Sequence, residues 1–369
     1  MSDAVTLIIF SAGAMYDDAE RLVTQARHAI TADVVARARQ VKAIERIIVA
    51  TDSRELVASL QPYDVAADYD DPAKPFAFGA RLAQIIVQYD VQKPFYIGGG
   101  AAALLSADEL GAMAERLQAA DNILIPNNLF SSDFVAFAPG RAAVGLPPLE
   151  TDNNLAFLLR FQEQLAFTPQ PRTVGTQFDV DTPTDVLLLG YGKNLGEHTR
   201  RFLSGVTLDT SHIERLLPHL TRHESELCVY GRVAAEVWLS FERDAACRTR
   251  LFSEERGLLA SGREARGEAR SLLGFVFDAY GIERSFALLG ELGTAALIDM
   301  RVLLAHRRLR ASAHDRFNAD LLRPEQIHDP WLREFTQAAL RAPIPVILGG
   351  HSLVCGGLYL LVEAAWRGK

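Results

Sequence analysis

Apolar and polar positions divide the chain into two stretches of different rhythm. Up to about residue 190, short apolar runs alternate with segments of helical periodicity. Val5–Phe10 is a continuous apolar run, the pattern of a strand covered on both faces. Across Ala19–Val41, Leu22, Ala26, Ile30, Val34, Val35 and Ala38 recur at helical spacing and define one buried side. Arg46–Ala50 predicts a second strand, Phe78–Tyr89 a helix, Pro94–Ile97 a strand and Ser106–Ala119 a helix. Ser106 followed three residues later by Glu109 has the spacing of a capping box. Asn122–Pro126 and Asp133–Ala138 predict two further strands, Asn154–Gln164 a helix and Gln177–Val180 a last strand. Such alternation predicts an α/β fold, a parallel-rich, Rossmann-like sheet in three layers with helices on both faces. Ligands on these sheets sit beyond the carboxyl ends of the strands. Chemistry is therefore expected in the loops after Phe10, Ala50, Ile97, Pro126 and Val180.

From about residue 195 the pattern becomes helical, at His212–Leu220, Glu226–Arg243, Arg248–Ala260, Arg263–Tyr280, Ser285–Leu309 and Pro330–Leu340. A strand at Pro345–Leu348 and a helix at Leu353–Ala365 close the chain, so a mainly α-helical second domain is expected. Three glycines within Gly190–Gly196 mark the seam and give domains at 1–190 and 197–369. The segment between Arg341 and Glu363 carries no formal charge and is long enough to span a bilayer. Pro343, Pro345, His351 and four glycines thin its apolar density, so it reads as a buried strand, a turn and a core helix. No membrane partner is expected.

Charge sharpens the division. Residues 1–190 hold 14 Lys+Arg against 24 Asp+Glu, and residues 191–369 hold 24 against 22. The acidic first half argues against broad nucleic-acid binding, which depends on neutralising phosphates. Cys228, Cys247 and Cys355 are far apart, without the spacing of a zinc site or a disulfide framework. The start, Met-Ser-Asp-Ala-Val-Thr-Leu-Ile-Ile-Phe, lacks a basic region and reads as a strand rather than a signal peptide, so a cytoplasmic location is expected.

Candidate chemistry collects at predicted strand ends. Gly98, Gly99 and Gly100 follow the central strand, where a turn free of side chains admits a phosphate or sugar. Asp52 ends the second strand, and Asp179, Asp181 and Asp185 lie around the last one. Asp181 or Thr182 also suits a helix cap ahead of Pro183. Asp68, Asp70 and Asp71 read as a solvated acidic loop. Ser131, Ser132 and Asp133 could hydrogen-bond a base or an acceptor. In the second half, Gly349-Gly350-His351-Ser352 lies between a strand and a helix, an anion-binding arrangement with His351 as an acid or base. Arg256, Arg263, Arg266 and Arg270 are interleaved with Glu254, Glu255, Glu264 and Glu268 and read as a salt-bridged face.

The order strand, loop and long helix, then a strand ending Val49-Ala50-Thr51-Asp52, then a central strand leading to Leu104-Leu105-Ser106, ends in Asp179-Val-Asp-Thr-Pro-Thr-Asp185. It resembles the GT-A-like nucleotidyltransferase superfamily, closest to the molybdenum-cofactor and 2-phospho-L-lactate guanylyltransferases, over about residues 5–190. The resemblance implies joining of a nucleoside triphosphate to a small phosphorylated or carboxylated acceptor with release of pyrophosphate. It places Ser11, Ala12, Gly13, Gly79, Gly98, Gly99 and Gly100 against the nucleotide or sugar nucleotide. It also implies Mg²⁺ on Asp179 and Asp181 and polar residues at Ser131, Ser132 and Asp133 against the acceptor; on their own chemistry, Asp52 could replace a missing metal ligand and His351 could join the acceptor side.

This chain departs from the family at two places. Gly13 stands alone where the family has a Gly-rich loop with Arg and Lys, and the next basic residue is Arg21. The turn Gly98–Ala103 contains no carboxylate where the family places a metal ligand. Three readings follow: an active nucleotidyltransferase; a degenerate domain that binds a nucleotide without turnover, its helical domain making partner or dimer contacts; or another small-molecule enzyme using the His351 turn and the arginines.

Overall fold

The computed structural model describes residues 4–71, 74–259 and 261–367. They form two compact units. The first takes in the described residues of Met1–Gly13, Thr24–Asp179 and Asn194–Phe202; the second those of Ala14–Val23, Val180–Lys193 and Leu203–Lys369.

The first unit is built on a six-stranded sheet. Its strands are β1 (Val5–Phe10), β2 (Ile44–Thr51), β3 (Ala66–Tyr69), β4 (Lys93–Gly98), β5 (Ile123–Pro126) and β6 (Phe134–Ala138), in the order β3-β2-β1-β4-β6-β5. The first four are mutually parallel, while β6 runs antiparallel to both β4 and β5. Helices cover these strands, which is why β1 could be apolar at nearly every position. Phe78, Leu82, Ile85 and Ile86 of the helix Phe78–Gln88 pack with Ile8, Ile48, Tyr96 and Val135 into one core. The capping box at Ser106 forms as expected: Ser106 Oγ accepts from the Glu109 amide at 3.2 Å, and the Ser106 amide donates to Glu109 Oε2 at 2.8 Å.

Two expectations fail here. Gln177–Val180 is no strand; Thr173 and Thr176 close a reciprocal cap on the short helix Val174–Gln177, which ends the segment as a turn. Asp68 and Asp70 do not lie in a solvated loop. Asp68 belongs to β3, and Arg81 binds both carboxylates, at 2.7 and 2.6 Å, with its side chain only 11% exposed.

The second unit contains a sheet that periodicity did not reveal. Strands β7 (Glu226–Gly231), β8 (Arg248–Ser253), β9 (Ala295–Asp299) and β10 (Val346–Gly349) are all parallel, in the order β10-β9-β7-β8. Only β10 was expected. β7, β8 and β9 fall inside the segments Glu226–Arg243, Arg248–Ala260 and Ser285–Leu309, which had read as helices. A short, fully buried apolar run looks the same in a strand as in a core helix. The helices Pro330–Arg341 and Gly356–Trp366 match expectation. Phe277, Phe286 and Phe335 meet at ring-centroid distances of 5.2 to 5.4 Å in the core beside the sheet. No helix of the described residues is long and apolar enough to cross a membrane.

Candidate functional site

Topology selects the site in the first unit. From β1 the chain moves to β2 on one side, while β4 joins β1 on the other, so the strand order reverses between β1 and β4. A crevice at such a switch point is where open α/β sheets bind ligands. Phe10 pairs with Gly98, so the first loop and the three glycines leave the sheet side by side. Gly99 needs to be glycine there: a Cβ would lie 2.8 Å from Ser11 Oγ and 3.0 Å from the Phe10 carbonyl oxygen. Ser11 is buried, and its Oγ accepts from Thr31 Oγ1 at 3.0 Å. Ala12 is exposed, and Gly13 packs on Thr24, so this loop is tight.

The turn without carboxylates receives them from elsewhere. The Gly98 amide donates to the Asp133 carbonyl at 2.9 Å, and a Cβ on Gly98 would lie 3.5 Å from Asp152 Oδ2 and from Tyr96 Oη. Tyr96 Oη donates to Asp152 Oδ2 at 2.8 Å. Burial, then the charge and hydrogen bond of Asp152, then the charges of Asp133 and Asp179, push the Tyr96 phenol well above its ordinary pKa. Three carboxylates thus place their field on one phenol at the end of β4.

A polar frame holds them. Asn127 Nδ2 donates to Asp133 Oδ2 at 2.7 Å, while Asn127 Oδ1 accepts from the amides of Asp133 and Phe134. Ser131 Oγ donates to Asn153 Oδ1 at 2.7 Å, and Ser132 Oγ to the Asp152 carbonyl at 3.0 Å. Ser131 and Ser132 therefore fix the Asp152–Asn153 turn beside the glycines. Tyr96, Asn127, Asp152 and Asn153 were missed as site residues. The polar runs Asn127-Asn128 and Asp152-Asn153-Asn154 were the only signal, and the second had read as a helix start.

The other expected residues are placed as follows. Gly79 packs against Leu149 and donates its amide to the Leu149 carbonyl at 3.0 Å. Asp52 is exposed at the end of β2, next to Ser53, which caps the helix Arg54–Ser59. Asp181 is exposed and belongs, like His351, to the second unit. Asp185 is buried and closes a capping box with Thr182, its Oδ2 accepting from the amides of Thr182 at 2.8 Å and Asp181 at 3.0 Å.

Among the described residues, one trio of His, Cys, Asp or Glu ligand atoms lies within 4.8 Å: His314, Asp315 and His328, in the second unit. Its geometry is that of a hydrogen-bonded cation. His314 Nδ1 lies 2.5 Å from Asp17 Oδ2, and Nε2 lies 2.8 Å from the Gln326 carbonyl. The Asp17 contact raises the His314 pKa, and both ring nitrogens are already engaged by oxygen atoms of Asp17 and Gln326. Of the arginines, Arg263 pairs with Glu255 at 2.5 Å and Arg266 with Glu268 at 2.9 Å, the salt-bridged face expected.

No protein-family model and no curated protein matches the chain. Among solved structures it is similar to a putative nucleotide-diphospho-sugar transferase from Desulfovibrio desulfuricans, at 12% identity and TM-score 0.39 over 55% of this chain and 94% of that one. A cytidylyltransferase from Leptospira borgpetersenii is similar at 12% identity and TM-score 0.36, over 51% and 84%. A 4-diphosphocytidyl-2C-methyl-D-erythritol synthase from Anaerococcus prevotii is similar at 13% identity and TM-score 0.36, over 50% and 94%. Each of these neighbours aligns with about half of this chain.

Proposed function

We propose that the first unit is a nucleotidyltransferase domain that binds a nucleoside triphosphate at the ends of β1 and β4 and transfers its nucleotidyl group to a small phosphorylated or carboxylated acceptor. One observation carries this reading: Asp133, Asp152 and Asp179 all bear on Tyr96 at the switch point, beside a turn of three glycines. The acceptor oxygen attacks the α-phosphorus, the α–β anhydride bond breaks, and pyrophosphate leaves with the bonding electrons. The chain's part is to hold the two anions in line.

Hard carboxylate oxygens suit Mg²⁺, which takes one or two of them and completes its shell with phosphates and water. Asp133, Asp152 and Asp179 fit that need without a closed protein cage. A bound Mg²⁺ would neutralise charge developing on the phosphate oxygens. The Asn127 and Tyr96 hydrogen bonds orient Asp133 and Asp152, and Gly99 keeps the floor open to a phosphate or ribose.

Thermal shift and calorimetry with each nucleoside triphosphate, with and without Mg²⁺, test the proposal. Saturable, Mg²⁺-dependent binding is expected, weakened about tenfold or more by Asp152→Asn, with pyrophosphate released once an acceptor is present. Indifference to every triphosphate, or binding unchanged in Asp152→Asn, would refute it. A second reading, nucleotide binding without turnover, is favoured by residues 11–13, which bring no cation to a triphosphate. Binding without pyrophosphate from any acceptor pool would select it.

A further inference from the structure

We propose that the second unit has a ligand site of its own, which takes the phosphate group of a small molecule at the carboxyl ends of β7, β9 and β10. The sheet order places β8 on one side of β7 and β9 on the other, so this sheet too has a switch point, between β7 and β9. The residues that leave the sheet there are charged. Arg232 follows β7 and forms a fork with Asp299 at the end of β9, Nε to Oδ2 at 2.7 Å and Nη2 to Oδ1 at 3.1 Å. Arg301 donates its amide to Asp299 Oδ1 at 3.2 Å and its Nη2 to Asp320 Oδ2 at 2.8 Å. Arg316, one turn earlier on the helix Ala313–Asp320, is coupled electrostatically to both Arg301 and Asp320.

The result is a run of alternating charge, Arg232, Asp299, Arg301, Asp320 and Arg316, with Glu264 also in electrostatic reach of Arg316. Asp299 and Asp320 have fully buried side chains, and that of Arg301 is 18% exposed. Among the described residues, the Arg316 guanidinium makes no hydrogen bond or ion pair, and its Nε is shut off from water. Arg301 Nη1 is likewise buried and without an acceptor. Buried N–H groups without acceptors are expensive, and a native chain retains them where something else completes them. Burial, and then the charge of Arg301, lower the Arg316 pKa, and an anion bound beside both guanidiniums would offset both effects. A phosphate offers two charges and several acceptor oxygens to such forks.

The backbone brings the end of β7 directly against Asp299. Gly231 sits at φ +135°, and a Cβ there would lie 2.3 Å from the Asp299 Cβ. On the third strand end, Gly349 and Gly350 precede His351, whose charge is felt by Asp299. His351 Nε2 lies 3.2 Å from Cys355 Sγ, which anchors the imidazole at the rim of the cluster. None of these residues belongs to the nucleotide site proposed above, so the two proposals stand or fall separately.

The test is calorimetry and thermal shift on the full chain with inorganic phosphate, a phosphate monoester such as glycerol phosphate, succinate, and sulfate at matched ionic strength. Saturable binding of phosphate or the monoester is expected, with succinate weaker. The monoester binding more tightly would identify a metabolite rather than free phosphate as the natural source. Arg316→Gln should raise the phosphate Kd about tenfold or more, and Arg316→Lys by less. Arg243→Gln, at an exposed arginine, and Asp152→Asn should leave it unchanged. Without phosphate, Arg316→Gln should melt at or above the parent temperature, because it removes an unpaired charge, whereas a merely structural arginine would lower it. The proposal is overturned by no saturable binding of phosphate or monoester, by an unchanged Kd in Arg316→Gln, by loss of binding in Asp152→Asn, or by a marked fall in the ligand-free melting temperature of Arg316→Gln.

Discussion

Asp185→Asn tests whether the buried carboxyl of the Asp179–Asp185 segment is neutral. Burial first, and then the nearby charge of Asp181, push the Asp185 pKa up to about 8 from 3.8. Hydrogen bonds from Thr182 and the Asp181 amide oppose the shift without cancelling it. At neutral pH the folded chain therefore keeps a proton that the unfolded chain has lost. The linkage sign follows directly: the folded pKa is raised, so the stability is fully present below about pH 3.8 and is lost as pH rises through about pH 8. Between those values the loss is about 1.4 kcal/mol per pH unit. From about pH 5 to about pH 7.5 it accumulates to about 3 kcal/mol.

Asparagine is nearly isosteric with the neutral acid and cannot ionise. Any fixed cost of the amide, whose second polar atom replaces the unpartnered Asp185 Oδ1, is the same at every pH. The observable is consequently a slope. Urea unfolding of parent and variant across this range, followed by hydrogen exchange in the helix Pro183–Leu189, should show the variant gaining steadily on the parent as pH rises. Parallel pH profiles would show that Asp185 is ionised in the fold, and the capping geometry would then have outweighed burial.

Two further outcomes are expected alongside the ligand tests. Gly231→Ala forces a side chain into a left-handed position and against the Asp299 Cβ at 2.3 Å, so a loss of at least about 3 kcal/mol is expected in chemical denaturation; a change under about 1 kcal/mol would contradict the close approach of β7 and β9. The His314 pKa is raised by its bond to Asp17, so the stabilisation from that contact is complete below about pH 6.5 and fades as pH climbs through the higher folded value. An NMR titration should place the His314 midpoint above 6.5 and, in Asp17→Asn, return it toward that value; a midpoint at or below 6.5 in the parent would contradict the clamp.

Much of the first unit was legible in the sequence because its signals are local. The β1 run, the helix Phe78–Gln88 and the Ser106–Glu109 cap depend on residues within a few positions of one another. The sheet of the second unit was not legible for the complementary reason. β7 and β9 are buried on both faces, so they lack the two-residue alternation that separates a strand from a core helix. Gly231, Gly290 and Gly293 were the only local breaks, and none distinguishes a strand end from a helix end.

The candidate sites divide in the same way. Glycines at the end of β4, the Asp179–Asp185 segment and the absence of a carboxylate in the turn could all be read along the chain. That Asp133 and Asp152 stand beside Gly98 could not, because the contact depends on β6 running antiparallel to β4 and on a turn more than fifty residues away. Likewise, the alternating charges of Arg232, Asp299, Arg301, Asp320 and Arg316 come from three separate stretches that only the parallel sheet brings together. Short-range pattern determines the elements whose signals are local, such as β1 and the capped helices. Which charges share a low-dielectric crevice, and which are left without a partner there, depends on the order and direction of the strands.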